Sequence, residues 1–238
     1  MSTFLLLGEP FSQSVVVLDG ETHHHLFRVK RHQVGDRLRA VDGRGRARWG
    51  EVVAADRRSA RVALGEPAPA NEPDRAVELY VAPPKPERAA WLVEKATELG
   101  VAAIRFLSTE RDARSLAPSQ LARLGRIAIA ALEQCERSLV PEVTDAGGLQ
   151  EVVRRCAEGG ASIAVLDRDD SGEAPGVAAE NGRLAILVGP EGGWSPDERE
   201  VFARLELPRW SLGERILRIE TAAVVAAGLV LAGRGFSR

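Results

Sequence analysis

The sequence predicts an α/β fold in a larger C-terminal domain, preceded by a small β-barrel. Three observations predict it. The first 72 residues hold short apolar stretches separated by Gly and Asp turns. After a Pro/Ala segment, strand-like runs alternate with helical patterns. Two of the later strands lead at once into loops that open helices. With 238 residues and 45% hydrophobic content, the chain can bury one good core or two modest ones.

In the first part the expected strands are Val15–Leu18, Arg37–Val41, Arg48–Ala54 and Ala60–Leu64, with turn chemistry at Asp19-Gly20, Gly35-Asp36 and Asp42-Gly43. The segment Pro67 to Pro73 breaks this pattern and sets a boundary at about residue 72, between a barrel over 1–72 and a domain over 73–238. Beyond it the order is strand Val77–Ala82, helix Glu87–Leu99, strand Ala103–Leu107, helix Ser119–Arg137 and helix Leu149–Ala157. Then come strand Ala161–Leu166, strand Leu184–Val188, helix Pro196–Leu205, strand Arg209–Leu212 and helix Glu220–Leu231. Alternation of this kind predicts a mostly parallel sheet. Ser195-Pro-Asp-Glu198 is a capping box with Pro at the first helical position, so the start of that helix is well specified. The last helix is apolar over most of its surface and must be buried against its own domain or a partner.

Composition narrows the function classes. The longest nearly uncharged run, Thr221 to Ala232, is too short to span a bilayer, and the N-terminus has no signal-peptide pattern, so a cytoplasmic protein with no membrane partner is expected. Cys135 and Cys156 lack CxxC spacing, which supports neither a disulfide framework nor a zinc site. The run His23-His24-His25, read as a strand, would point its side chains to alternate faces, and no metal is expected. Net charge is −2, but His25 to Arg48 holds eight basic residues against Asp36 and Asp42. Arginines such as Arg28, Arg31 and Arg37 suit phosphate contact; on charge alone a nucleic-acid track and a solvated face both stand.

Two loops carry the chemistry. In Leu187-Val-Gly-Pro-Glu-Gly-Gly-Trp194, Pro190 fixes one φ angle while the glycines let the backbone turn sharply and approach a ligand. The loop lacks GxGxxG and the P-loop lysine, so its spacing indicates only a ligand beyond the strand ends. In Ser211-Leu-Gly-Glu-Arg-Ile-Leu-Arg-Ile-Glu-Thr221, Arg215 and Arg218 precede the final helix. Taken singly, Arg218 and Glu220 read as a helix pair or cap.

Together with Glu133-Gln-Cys135, Val140-Pro-Glu142 and Lys95-Ala-Thr-Glu-Leu-Gly100, these strings resemble the RsmE family of SPOUT-class methyltransferases. The resemblance covers nearly the whole chain. It implies a PUA-like RNA-binding barrel and a trefoil-knotted α/β domain, whereas physical rules alone favour an unknotted sheet. It implies a homodimer that methylates N3 of a uridine in 16S ribosomal RNA with S-adenosyl-L-methionine as cofactor, and ribosomal RNA or the small ribosomal subunit as partner.

The resemblance places the cofactor at three strand ends: the loop after Val165-Leu166, the loop Gly189–Gly193 and the loop Ser211–Leu217. The implied cofactor residues are Leu166, Gly189, Pro190, Glu191, Gly192, Ser211, Leu212, Gly213, Ile216, Leu217 and Thr221. Methyl transfer from a sulfonium needs no metal, but uridine N3 must lose a proton. Arg218 is the candidate for stabilising charge on the base, and Glu220 or Glu191 for accepting the proton. The rival roles are a phosphate clamp for Arg218, a helix-start charge for Glu220 and a turn acid or cofactor contact for Glu191. Arg111 and Arg137 could extend the RNA track of Arg28, Arg31 and Arg37, with surface charge as the alternative. A non-catalytic RNA-binding module, or methylation of a different nucleotide, are the other functions the sequence allows.

Overall fold

The computed structural model describes residues 2–168 and 182–232. It divides into two compact units, one of Met1–Glu72 with Ile129–Val140, the other of Pro73–Ala128 with Pro141–Arg238.

The first unit holds β1 (Thr3–Leu5), β2 (Val15–Leu18), β3 (Arg37–Val41), β4 (Ala47–Ala55) and β5 (Ala60–Ala68). They form one sheet in the order β1-β3-β4-β5-β2. Alternation makes its core: Val16 and Leu18 of β2 are buried while Val15 and Val17 are exposed. Phe4, Leu26, Leu38, Ala40, Val52 and Val62 complete that core. Strand β1 is not apparent in the sequence because three residues carry too little alternation to read. Strand β5 runs through Pro67, where the sequence suggests a linker.

Two expectations are corrected here. The histidine run lies not in a strand but in helical turns, α1 (Gly20–His23) and a π-helical turn (His24–Val29). His23 is buried with its ring stacked 5.1 Å from Phe27, and its Nε2 lies 3.3 Å from the Asp56 carbonyl; His24 and His25 are exposed. The basic stripe, secondly, is partly structural. Arg39 is 1% exposed and its guanidinium donates to the carbonyls of Pro69, Ala70, Glu136 and Arg137. Burial pulls its pKa down, and the charges of Glu136 and Glu72 push back. Arg48 donates likewise to the carbonyls of Phe11, Gln13, Leu64 and Gly65.

The second unit holds β6 (Ala76–Val81), α2 (Pro86–Leu99), β7 (Ala103–Ser108), β8 (Glu142–Gly148), α4 (Leu149–Gly159), β9 (Ser162–Leu166), β10 (Arg183–Val188), α5 (Pro196–Arg204), β11 (Arg209–Trp210) and α6 (Ile219–Ala232). Helix α3 (Pro118–Cys135) contributes to both units. It stops short of the expected Arg137 because Glu136 takes a positive φ of 60°. All pairings are parallel, in the order β11-β9-β10-β6-β7-β8. Strand β8, which the sequence does not announce, is a half-exposed edge ending in Gly147-Gly148, so it lacks the apolar run of a central parallel strand.

Helices α2 and α6 pack on each other, with α6 against β6 and β10. On β10, Ala185 and Leu187 join a core with Val152 and Cys156 of α4 and Phe202 of α5. At the sheet, Glu78 is 5% exposed and is held by Arg105 at 2.7 Å and Arg183 at 2.6 Å. Burial also raises the pKa of the neighbouring Tyr80 phenol. Gly100 closes α2 at φ +100°, where an added Cβ would stand 2.5 Å from Pro73 Cγ. Among the described residues no helix is long and apolar enough to cross a membrane, and no group of three or more His, Cys, Asp or Glu is placed to hold a metal ion.

Arg39→Met is expected to lower the unfolding free energy by about 2–4 kcal/mol, because the carbonyls it serves lose their donor. Urea unfolding checks this, and a loss under about 0.5 kcal/mol would mean that water replaces the guanidinium.

Candidate functional site

The site is built where three parallel strands stop at one level. Leu166 at the end of β9 pairs with Val188 at the end of β10 and with Trp210 at the end of β11. The strand order switches between β6 and β10: β7 and β8 lie on one side, β9 and β11 on the other. In open α/β sheets ligands bind outside the strand ends near such a switch.

Cross-links keep the three ends level. The Asp167 N–H donates to the Trp210 carbonyl at 3.0 Å. The Trp194 indole N–H donates to the Leu166 carbonyl at 2.8 Å. Asp167 is 4% exposed and takes two bonds of 2.9 Å from Arg199 of α5. In the loop after β10, Gly193 N–H donates to Pro190 carbonyl at 2.8 Å, closing a tight turn, and the expected capping box follows: Ser195 Oγ accepts from Glu198 N–H at 3.0 Å and Glu198 Oε2 from Ser195 N–H at 2.8 Å. The other Glu198 oxygen accepts the Glu110 N–H at 3.1 Å, which ties the loop after β7 to α5. On that loop the Arg114 guanidinium holds the Asp112 carboxyl below its usual range, and Asp112 pushes Arg114 up.

These ends enclose a cleft of about 270 Å³. Leu166, Gly189, Pro190, Glu191, Gly192, Ser211, Leu212, Gly213, Ile216 and Leu217 line it. Thr221 is outside the lining, one position from Ala222, which is in it. Ile216 is 76% exposed, an apolar side chain left open at the cleft. The loop after Leu166 is described as far as Arg168; residues 169–181 lie outside the described residues.

Among the residues chosen for chemistry, Glu191 lines the cleft, while Arg218 and Glu220 stand beside the lining residues Leu217 and Ile219. Arg218 is exposed and Glu220 is buried. Of those chosen for RNA, Arg111 is at the cleft, where its guanidinium donates to the Gly192 carbonyl. Arg28 and Arg37 are exposed, Arg28 donating to the Arg57 carbonyl at 3.2 Å and Arg37 lying 4.1 Å over the Trp49 ring. Arg31 is exposed at φ 60°. Arg137 corrects its expectation: it is 3% exposed and its guanidinium grips Glu72 at 2.7 Å. It is an internal strut because a buried cation must be paired, and spacing does not reveal which arginines are buried.

Sequence reasoning missed Asp167, Arg199, Trp194 and Trp210, all of which line the cleft. The two tryptophans are 1% exposed and read in the sequence as plain core. The Trp210 indole N–H is buried without a hydrogen-bond partner among the described residues, an open donor at a cleft wall. A Cβ on Gly189 would stand 2.8 Å from the Trp194 ring, so this glycine is where the turn and the indole approach closest.

Residues 71–231 match an RNA methyltransferase domain family, and residues 18–64 match an RNA methyltransferase PUA domain. The Ribosomal RNA small subunit methyltransferase E of Mycobacterium bovis is 33% identical over 234 residues, covering 93% of this chain and 87% of its own. A crystal structure of a probable rRNA-methyltransferase from Porphyromonas gingivalis superposes with a TM-score of 0.80 at 31% identity, covering 97% of this chain and 99% of that one. A Ribosomal RNA small subunit methyltransferase E from Neisseria gonorrhoeae, bound to S-adenosyl methionine, superposes at 0.83 with 25% identity, covering 98% and 97%.

Gly189→Ala is expected to displace Trp194, lowering stability by about 1–3 kcal/mol and shifting tryptophan emission. Gly192→Ala, whose Cβ would meet only Arg111 Cδ at 3.7 Å, should leave both unchanged. Chemical denaturation followed by fluorescence reads the two together.

Proposed function

Because the chain belongs to the RNA methyltransferase family matched by residues 71–231, we propose that it methylates N3 of a uridine in 16S ribosomal RNA. Like its relatives, it is an S-adenosylmethionine-dependent ribosomal RNA methyltransferase. The observation that supports a methyl-donor site is the convergence, at the ends of β9, β10 and β11, of residues far apart in sequence around one cleft.

The cleft suits the cofactor on two local grounds. Trp210 offers a buried donor with no partner among the described residues, and the Gly189 turn brings backbone against the Trp194 ring. Leu212, Ile216 and Leu217 would flank the adenine, with backbone groups of the 189–193 turn and of Ser211–Gly213 holding its polar edge. When bound, S-adenosylmethionine supplies an electrophilic methyl group on a cationic sulfur, which becomes a neutral thioether as the methyl departs.

The chain's own residues then have two tasks, to align the base and to make its nitrogen nucleophilic. Arg218 stabilises the negative charge that develops on the uracil ring. Glu220 or Glu191 accepts the N3 proton. The barrel of residues 1–72 gives RNA its first hold through Arg28, Arg31 and Arg37, with Arg111 at the cleft. We place the protein in the cytoplasm and infer a homodimer; the exposure of Val225 (40%) and Leu229 (43%) on the apolar α6 supports the dimer.

Calorimetry should find micromolar-range binding of S-adenosylmethionine and none of NAD or ATP; no binding of the methyl donor would favour a non-catalytic RNA-binding module. Mass-spectrometric mapping of ribosomal RNA from cells lacking the protein should show one 3-methyluridine gone, and loss of another modified nucleotide would redirect the substrate. Arg218→Ala should lower turnover about 100-fold with little change in cofactor affinity. A loss confined to RNA affinity would make Arg218 a phosphate clamp instead.

A further inference from the structure

Two guanidiniums at the cleft are left without a carboxylate. The acids that line it are both taken, Asp167 by Arg199 of α5 and Glu191 by Arg88 of α2 at 3.1 Å. Arg111 and Arg215 line the same cleft, are exposed, and make no ion pair among the described residues.

They arrive on different loops. Arg111 stands at the tip of a closed turn after β7, where the Thr109 N–H donates to the Asp112 carbonyl at 2.9 Å and the Asp112 N–H to the Thr109 carbonyl at 3.2 Å. That turn is tied down by the Glu110 N–H bond to Glu198 and by Arg114, which donates to the Pro83 carbonyl at 2.7 Å. Nη1 of Arg111 donates to the Gly192 carbonyl, so the guanidinium lies against the glycine turn with its other donors unpartnered among the described residues. Arg215 is on the exposed loop between β11 and α6, two positions after Gly213, whose φ of 103° turns the chain. Two like charges on one cleft repel unless an anion joins them. The methyl donor is a poor candidate, because its cationic sulfur and its ammonium outweigh its single carboxylate. A phosphodiester of RNA carries net negative charge, and a guanidinium fork matches two of its oxygens.

We propose that Arg111 and Arg215 form a phosphate subsite at the rim of the cleft, which takes one backbone phosphate beside the target nucleotide and so positions its base for methyl transfer. Arg111 is the fixed side of the subsite, steadied by Gly192, and Arg215 the free side. In a cleft of about 270 Å³ the two guanidiniums serve one ligand group rather than two. This rests on the reading of the cleft as the methyl-donor site, and it adds Arg215 to the residues that meet RNA.

The experiment uses the full chain as Arg111→Gln, Arg215→Gln, the double Gln variant and the double variant Arg111→Lys/Arg215→Lys. Binding of unmodified small ribosomal subunits is measured between about 50 and 200 mM salt. Single-turnover methylation at saturating subunits gives the rate, denaturation gives stability, and calorimetry gives affinity for S-adenosylhomocysteine and for 5′-methylthioadenosine, which lacks the amino-acid tail. The double Gln variant should lower the slope of log affinity against log salt by about one, the loss of one phosphate contact, and each single variant by less. Its saturated rate should fall about tenfold while its S-adenosylhomocysteine affinity stays within about threefold of wild type. The double Lys variant should recover the slope but not the full rate, because the charge returns without the fork. An unchanged slope, a slope lower by about two, or an unchanged saturated rate would overturn the subsite, as no phosphate contact, two separate phosphates or a general RNA track. Weaker S-adenosylhomocysteine binding with methylthioadenosine unaffected would overturn it by giving the pair to the cofactor carboxylate, and a parallel fall in stability by making the pair structural. A wild-type protein that neither binds S-adenosylhomocysteine nor methylates would instead overturn the methyl-donor reading beneath it, a failure visible before any variant is compared.

Discussion

Everything about the cleft depends on three parallel strands stopping at one level and being kept there. Register alone aligns Leu166 with Val188 and Trp210, but parallel strand ends are loose unless something crosses between them. Here the cross-pieces are the backbone bond from Asp167 to Trp210 and the indole bond from Trp194 to Leu166. The Asp167–Arg199 pair anchors the same level to α5. Because the loops leave from a fixed rim, their backbone groups can face a common space rather than fold back on the sheet.

Charge inside the protein is matched before it is displayed. Glu78 between Arg105 and Arg183, Glu72 with Arg137, and Asp42 with Arg46 are buried or half-buried carboxylates that each keep a cation. Arg39 and Arg48 serve backbone carbonyls instead. A buried charge without a partner is too costly to keep, so such pairs are the condition of burial rather than a surplus of stability. The arginines left for a polyanion are accordingly fewer than the composition suggests. Arg31, Arg44, Arg215 and Arg218 are exposed, and Arg215 stands on the rim of the cleft.

The cleft also separates what is rigid from what is open. Trp194 and Trp210 sit in its floor and walls with almost no exposure, whereas Ile216 on the loop after β11 is mostly exposed. A buried base with an exposed apolar side chain at its rim lets a ligand gain contact area without disturbing the sheet below.

Legibility follows how local each signal is. The capping box at Ser195, the Gly-rich turn after β10 and the strand–helix alternation after residue 73 each lie within a short stretch of chain, so the residues alone display them, and with the upstream motifs they point to the family and its cofactor loops. The short β1, the edge strand β8 and the helical histidine run are hidden, because three residues carry no period and an edge strand needs no apolar run. Whether an arginine is a strut or a ligand hand, as with Arg137 against Arg111, is decided by which residues lie beside it in space. The same holds for Trp194, Asp167 and Arg88, whose partners are 28, 32 and at least 103 positions away. By itself the sequence determined the fold class and the segments that meet a ligand; only the tertiary structure decided which side chains hold those segments level, because hydrogen bonds and ion pairs between distant residues leave no periodic trace in the chain.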